Sequence, residues 1–453
     1  MNRHPIENNA PVRRRTRKKG ESSRSYGIMS PLRVTLPQWL ATIAAGLLIM
    51  TLPARAAEQP LFETTTVFPA AQKNRPNYRI PSLIQTRSGD LIVFAEKRND
   101  GVGDVGNHDL VLKRSKDLGR TWGPEQVIYD DGGNTSTDGT ICVDAEKNRI
   151  FLFFLKDKKQ YAYMQSDDEG ATWQGPTIIH SAVIKPEWDR LGLKPGETIG
   201  THIDPESGKT SKAKSWKENW VQRYGVGPGA GGIQLTNGPR AGRLIVPSRH
   251  REEVNPGKYQ TFAHIIYSDD HGATWVPGPN IAAFGSETEL VELANGDVMA
   301  CIRNENPKDL PEKRQLLAVS KDAGMTWSEA RRQPELITPK VHASIRRLTT
   351  TGTGGKNRLL FSNPAYPRWE EKHPYGRYNM TVRLSYDEGN TWTPGKLVYA
   401  PPASYSDLVA LKDGTIGLIY ERGPEGSDHY WDELQFARFN LEWLTDGKDS
   451  LHP

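Results

Sequence analysis

The chain has 453 residues, 36% hydrophobic and 25% charged, which is the composition of a globular protein and not of a disordered or fibrous one. Its 42 glycines and 32 prolines favour turns, and its two cysteines, Cys142 and Cys301, exclude a disulfide scaffold and a cysteine-based zinc site. The formal charge of +5 sits at one end: residues 1–56 hold ten Lys/Arg and two acids, the remainder has 49 basic and 52 acidic residues, and a basic nucleic-acid-binding body is excluded.

The first element is a leader. Residues 39–52, WLATIAAGLLIMTL, are almost wholly apolar, follow the basic stretch and precede Pro53-Ala54-Arg55-Ala56-Ala57. A basic region, an apolar core and an A-x-A site make the layout of a secretory signal peptide, with cleavage expected after Ala56. The apolar run is shorter than the ~20 residues a bilayer span needs. An uncleaved amino-terminal anchor and a start at Met29 are the alternatives. The body, 57–453, is expected to be secreted or periplasmic, without a stable membrane span, and a monomer. Glycans, peptides and envelope polymers are the ligands of that compartment. The two cysteines read as buried free thiols.

Along the body one octapeptide recurs five times: SKDLGRTW at 115–122, SDDEGATW at 166–173, SDDHGATW at 268–275, SKDAGMTW at 320–327 and SYDEGNTW at 385–392. Starts lie 51, 102, 52 and 65 residues apart, and a period near 50 is that of a four-stranded propeller blade. Strand patterns of period two surround the boxes, as in Asp109–Arg114 and Met380–Leu384. Further strands read at Arg149–Leu155, Arg243–Pro247 and Thr415–Tyr420, and inner strands are expected after Gly89-Asp90, Gly296-Asp297 and Asp413-Gly414. Each box reads as a turn: Asp bonds nearby backbone amides, Gly supplies positive φ, and Trp plugs the hairpin. The five Asp residues therefore hold turns and do no chemistry.

No long amphipathic helix appears, so the body reads as all-β. Residues 184–227 carry no strand pattern and read as a long insertion, with Trp188, Trp216, Trp220 and Tyr224 as a candidate wall over a leaving group. Five boxed blades, a sixth near 404–442 and closure by 61–68 predict a six-bladed β-propeller of four-stranded antiparallel blades. Seven blades is the alternative.

Propellers place ligands at one end of the channel, on loops between strands. Arg79 opens a strand in Tyr78-Arg79-Ile80-Pro81, Arg303 ends what reads as an inner strand at Val298–Arg303, and Arg377 precedes a strand. Three planar guanidinium forks from separate blades can converge on a carboxylate or phosphate. The histidines are scattered without metal-ligand spacing, so no metal or cofactor is expected, although calcium on loop carboxylates stays open.

Here the sequence resembles a known family. The five boxes with Arg79-Ile80-Pro81, Phe94-Ala95-Glu96-Lys97-Arg98, Gly227–Leu235, Tyr405-Ser406-Asp407-Leu408 and Leu418-Ile419-Tyr420-Glu421 are similar to the exo-α-sialidases over about 60–445. The resemblance implies sialylated glycans as substrates, Arg79, Arg303 and Arg377 as the clamp for the sialic acid carboxylate, and Arg98 and Asp138 as further substrate contacts. It implies Tyr405 as nucleophile, Glu287 as its base, Asp104 as acid/base and Glu421 as support for Arg79. A neutral phenol avoids the repulsion a carboxylate nucleophile would meet beside the sugar's own carboxylate; sialidases with a Tyr nucleophile are a known exception to the two-carboxylate scheme. Glu289 and Glu292 compete with Glu287, and Asp100 and Asp109 with Asp104. An acid must hold its proton, so Asp104 is expected in a partly desolvated loop. Asp138, Arg249, His250 and Arg251 lie near the N-acetyl and glycerol positions. A trans-sialidase or a Kdn-preferring relative is the alternative enzyme, and a non-catalytic glycan-binding propeller the alternative of another class.

Overall fold

A computed structural model describes residues 59–70, 76–158, 160–185, 201–203, 210–212, 224–227, 229, 231–255, 258–306, 313–366 and 376–451. The leader and its cleavage site lie outside these residues, as do Trp188, Trp216 and Trp220.

Six antiparallel sheets form a propeller, each running from an inner to an outer strand. Blade one is Asn77–Gln85, Leu91–Arg98, His108–Ser115 and Gln126–Tyr129; blade two is Ser136–Asp144, Arg149–Lys156, Gln160–Ser166 and Gln174–Ile178. Blade three has a split inner strand, Tyr224–Val226 and Ile233–Gln234, then Leu244–Asn255, Lys258–Ser268 and Val276–Ala283. Blade four is Gly285–Glu292, Val298–Asn304, Arg314–Ser320 and Arg331–Ile337. Blade five begins with Ser344–Thr349, Arg358–Pro364 and Tyr378–Ser385. The long strand Lys396–Ala410 serves two blades: its first part pairs with Tyr378–Val382, and its second pairs with Ile416–Arg422 as the inner strand of blade six. Glu433–Phe439 follows, and Phe62–Phe68 completes blade six as its outer strand.

Each sheet is covered by neighbours on both sides, so its middle strands are apolar on both faces. This departs from the simple alternation expected of them. In Arg149–Lys156, Phe151, Phe153 and Leu155 pack with Trp275 and Leu244 of blade three, while Leu152 and Phe154 pack with Phe94 and Leu112 of blade one. Among the described residues six apolar clusters fill the blade interfaces, and a small seventh, Ile80, Val341 and Tyr405, lies at the pocket. Cys142 and Cys301 are buried free thiols.

The boxes join the third and fourth strands of blades one to five. In the first, Ser115 Oγ donates to Asp117 Oδ1 at 2.7 Å, Gly119 N to Ser115 Oγ at 2.8 Å, and Thr121 N to Asp117 Oδ1 at 2.9 Å. The same bonds recur in the other four. Each box also leans on the preceding blade: a Cβ on Gly119 would stand 2.0 Å from Phe436, and on Gly272 2.2 Å from Phe151. Blade six has no box because its fourth strand comes from the other end of the chain, and no turn joins its third strand to it.

Two sequence expectations change. Gly89-Asp90, Gly296-Asp297 and Asp413-Gly414 lead into second strands, so Arg303 ends a second strand and the inner strand of blade four carries Glu287. Within 184–227, short strands occur at Thr201–Ile203, Thr210–Lys212 and Tyr224–Val226. No helix among the described residues is long and apolar enough to cross a membrane.

Candidate active site

The inner strands of blades one, two, four and six each break register at the residue that faces the pocket. The shifts lie between Arg79 and Ser82, Thr137 and Thr140, Gly285 and Thr288, and Ala403 and Ser406. A bulge re-aims a side chain that regular pleating would send into a blade interface. Backbone strain accompanies two of them: Ile80 has φ 57° and Asp138 φ 60°, costly for non-glycine residues and most of all for a β-branched one.

Ile80 keeps this conformation through Glu421. That buried carboxylate accepts the Ile80 amide at 3.0 Å and both arms of the Arg79 fork at 3.1 Å. Among the described residues Arg377 donates to neutral oxygens, Ser404 Oγ at 3.0 Å and the Lys340 carbonyl at 3.0 Å. Arg303 Nη1 donates to Glu287 Oε2 at 2.6 Å and to Tyr405 Oη at 2.9 Å. Tyr405 also lies 5.8 Å from the Arg79 guanidinium and 5.6 Å from that of Arg377, so one phenol touches all three cations. Tyr430, which the sequence reading missed, packs under Arg79 at 5.5 Å and Arg377 at 4.6 Å. Cation–π contact of this kind holds guanidinium planes apart without neutralising them.

The Tyr405 hydroxyl donates to Glu287 Oε1 at 3.0 Å. Burial and the Glu287 charge raise the phenol's pKa, so the resting phenol is neutral. Burial alone would raise Glu287, but Arg303 and Arg249 outweigh it and hold the carboxyl at about 2. Glu289 differs. Its Oε2 accepts the Ile345 amide at 2.9 Å and lies 2.9 Å from Ser344 Oγ, which is also 3.1 Å from Asp407 Oδ1. One hydroxyl has a single proton and cannot donate to both carboxylates. Burial and Asp407 push the Glu289 pKa well up, so Glu289 keeps the missing proton. Of the two carboxyls, Glu287 is the one held in its charged form against the phenol, while Glu289 faces Ser344 and the Ile345 amide. Glu292 is remote, bonding Thr236 and Asn237. His342 stacks on Tyr405 at 5.9 Å and 10°, and burial lowers it to about 4, leaving a neutral ring.

Asp104 faces the same pocket from the loop of blade one. Asp100 instead accepts the Asn107 amide, and Asp109 accepts from Asn99. Asp104 is partly desolvated at the rim, as expected for an acid, but it is also ion-paired. Its side chain is 72% exposed and accepts from Arg98 Nη1 at 2.8 Å, with Arg79 at 3.9 Å. Desolvation at the rim opposes ionisation, but Arg98 and Arg79 dominate and hold the carboxyl below its usual range. Arg98 is itself buried, bound through Nε and Nη2 to Glu96 Oε2 at 3.0 and 2.8 Å. Glu96 Oε1 accepts the Asp138 amide at 2.7 Å, which fixes Asp138 beside Arg98.

Asp138 carries an ion pair to Arg249 at 2.8 Å. Burial raises the Asp138 pKa against that pairing. Lys158, another missed residue, acts electrostatically on Asp138, Asp104 and Glu96. His250 points away, to His264 at 3.0 Å and Glu252 at 2.7 Å. Gly229 and Gly232, between the halves of blade three's inner strand, lie tight against their neighbours. A Cβ on Gly229 would stand 2.5 Å from Glu289 Oε1, and on Gly232 2.6 Å from Cys142. Among the described residues no group of three His, Cys, Asp or Glu is placed to hold a metal.

The arrangement sets three guanidinium groups about a phenol backed by an ionised carboxylate, with a second carboxyl at the rim, a geometry that can take an anion. The chain matches the family model of the BNR repeat-like domain over residues 206–418. It is 32% identical to a sialidase of Micromonospora viridifaciens over 402 residues, 86% of this chain, and spans 56% of that protein's length. The solved Hadza microbial sialidase Hz136 is similar in structure with a TM-score of 0.65 at 23% identity, over 84% of this chain and 69% of that one. A leech intramolecular trans-sialidase is similar with a TM-score of 0.62 at 20% identity, over 85% and 71% of the two chains. On the ground of this sequence similarity the chain belongs to the sialidase family of glycoside hydrolases.

Proposed function

We propose that the chain is a retaining exo-α-sialidase that releases terminal α-linked sialic acid from glycans. The observation that carries this reading is the Tyr405–Glu287 bond at 3.0 Å beneath three converging arginines. The sugar carboxylate is taken by Arg79, Arg303 and Arg377, of which Arg377 has no acidic partner among the described residues. That places the anomeric carbon over Tyr405 Oη and the leaving oxygen toward Asp104.

The Tyr405 proton does not move to Glu287 in the resting site, because the phenol's pKa is raised and the carboxyl is held at about 2. Transfer becomes favourable only as the phenol oxygen bonds to carbon, so the two events are concerted. Substrate binding assists: the incoming carboxylate competes for Arg303, loosening its 2.6 Å bond to Glu287 and making that base stronger. It also competes for Arg79, which relieves one of the charges keeping Asp104 ionised. Asp104 then protonates the leaving oxygen and, in the second displacement, takes a proton from water. The held carboxylate and the Tyr405–Glu287 pair stabilise positive charge on the ring. Two displacements give net retention.

The basic and apolar leader supports export of the enzyme. The test is hydrolysis of a chromogenic α-sialoside by the wild type and by Tyr405→Phe. Release by the wild type with a loss of at least about a hundredfold in the variant supports the reading; no release from any α-sialoside by folded protein overturns it. Product analysis separates free sialic acid from transfer or an anhydro product.

A further inference from the structure

Arg249 lies across the pocket floor. Its Nη2 donates to Asp138 Oδ2 at 2.8 Å and its Nη1 to Glu287 Oε1 at 3.3 Å. That same Oε1 accepts the Tyr405 hydroxyl at 3.0 Å. One carboxylate oxygen therefore holds two donors, of which only the phenol gives up its proton. The backbone is built around the guanidinium. Tyr161 Oη lies 2.9 Å from the Gly225 carbonyl and 3.3 Å from that of Arg249, and Gly225 on the paired strand lies so close that a Cβ there would stand 2.6 Å from Arg249 Nε.

Resting on the sialidase reading, we propose that Arg249 is a positioning residue that couples recognition at the far end of the sugar, beside Asp138, to the proton transfer from Tyr405 to Glu287. With the carboxylate on the arginines and the leaving group toward Asp104, the ring substituents beyond the anomeric carbon lie toward Arg98, Asp138 and Arg249. A substituent that engages Asp138 or Arg249 Nη2 alters the grip of Nη1 on Oε1. Charge-assisted bonds to a carboxylate are strong enough for that change to alter its basicity. The other charged and titratable groups facing Glu287 are Arg303 from its own blade, Tyr405 from blade six and His342 ahead of blade five, with Glu305 and Asp138 nearby. Arg249 alone among the donors to Glu287 also bonds Asp138. The substituent therefore changes kcat, not KM alone, because its effect is expressed during proton transfer.

The test is the pH profile of kcat and kcat/KM for the full chain and for Arg249→Gln and Arg249→Lys. Two α-sialosides are used that differ only at C5, one N-acetylated and one with a hydroxyl. In Arg249→Gln the acid limb moves up by about one pH unit, the direction expected when a cation leaves a carboxylate. The kcat difference between the two substrates shrinks to less than about twofold, and Arg249→Lys restores part of both. A profile that superimposes on the wild type, with KM alone changed, overturns the coupling. If Arg249→Gln does not fold, Arg249→Lys decides by the same two readings. A wild type that cleaves neither substrate overturns the functional reading first and this inference with it, an outcome read before any variant is compared.

Discussion

Arg98 Nη1 donates to Asp104 Oδ1 at 2.8 Å, although Asp104 is 72% exposed and Arg98 is almost wholly buried. A buried cation reaches outward to hold an exposed acid in its charged form. At neutral pH the free site therefore holds Asp104 without the proton that the proposed acid role requires.

This relationship predicts a split between leaving groups. Asp104→Ala is expected to lose roughly 10²–10⁴-fold in kcat on a natural glycan, the usual span of general acid catalysis. It loses less than about tenfold on an activated aryl sialoside, whose leaving oxygen needs no proton. The sign of the pH effect follows from the depressed pKa: the acid form is lost as pH rises through it. The alkaline limb of kcat/KM, which reports the free enzyme, lies at lower pH than that of kcat, where the substrate carboxylate occupies Arg79. Coincident limbs on a glycan substrate would show that substrate does not relieve the arginines.

The two carboxyls on the blade-four inner strand give opposite expectations. Glu287→Gln removes an ionised base and lowers kcat at least about a hundredfold. Glu289→Gln replaces a protonated acid with a neutral group of the same shape and keeps activity within about threefold, since a neutral acceptor still meets the Ile345 amide and Ser344. A loss in Glu289→Gln as large as in Glu287→Gln, with the melting temperature unchanged, would reverse the assignment of the base.

A third expectation concerns the ring. At Gly119, φ is +86° and an added Cβ would stand 2.0 Å from the Phe436 ring of blade six. Gly119→Ala must displace that ring or the turn, and it is expected to cost more than ~3 kcal/mol in calorimetry. Gly238→Ala is the control: φ is +76° with open space around the site, and only the ~1–2 kcal/mol of left-handed strain applies. Equal losses in the two would mean that the box does not seal the blades.

The sequence exposed what local chemistry repeats. The boxes are self-contained hydrogen-bonded turns, so they keep one spelling and mark five of the six blades. Arg79, Tyr405 and Glu421 sit in short runs with recognisable neighbours. The register shifts are not spelled in the sequence, because a bulge depends on the partner strand. They place Glu287, and not Glu289, against Tyr405. Tyr430 belongs to a run of aromatics, His429-Tyr430-Trp431, in an otherwise polar loop at the arginine end, a signal that was available. Lys158 and His342 had no such signal: each is ordinary in its own stretch and meaningful only through neighbours from other blades. Asp104 lies only six residues beyond Arg98, but the pairing that sets its charge depends on Arg98 turning inward and being buried, which the local sequence does not spell.

Closure by Phe62–Phe68 also has a consequence for biosynthesis. Thr66 bonds Gln435 across 369 residues of chain. At ~5–20 residues per second of synthesis, the first strand waits roughly 20–70 s for the strand it will pair with. Throughout that interval the nascent polypeptide carries an unmatched ribbon edge, open to pairing with other chains. Delivery of the finished chain, not assembly of any single blade, sets when the ring can form.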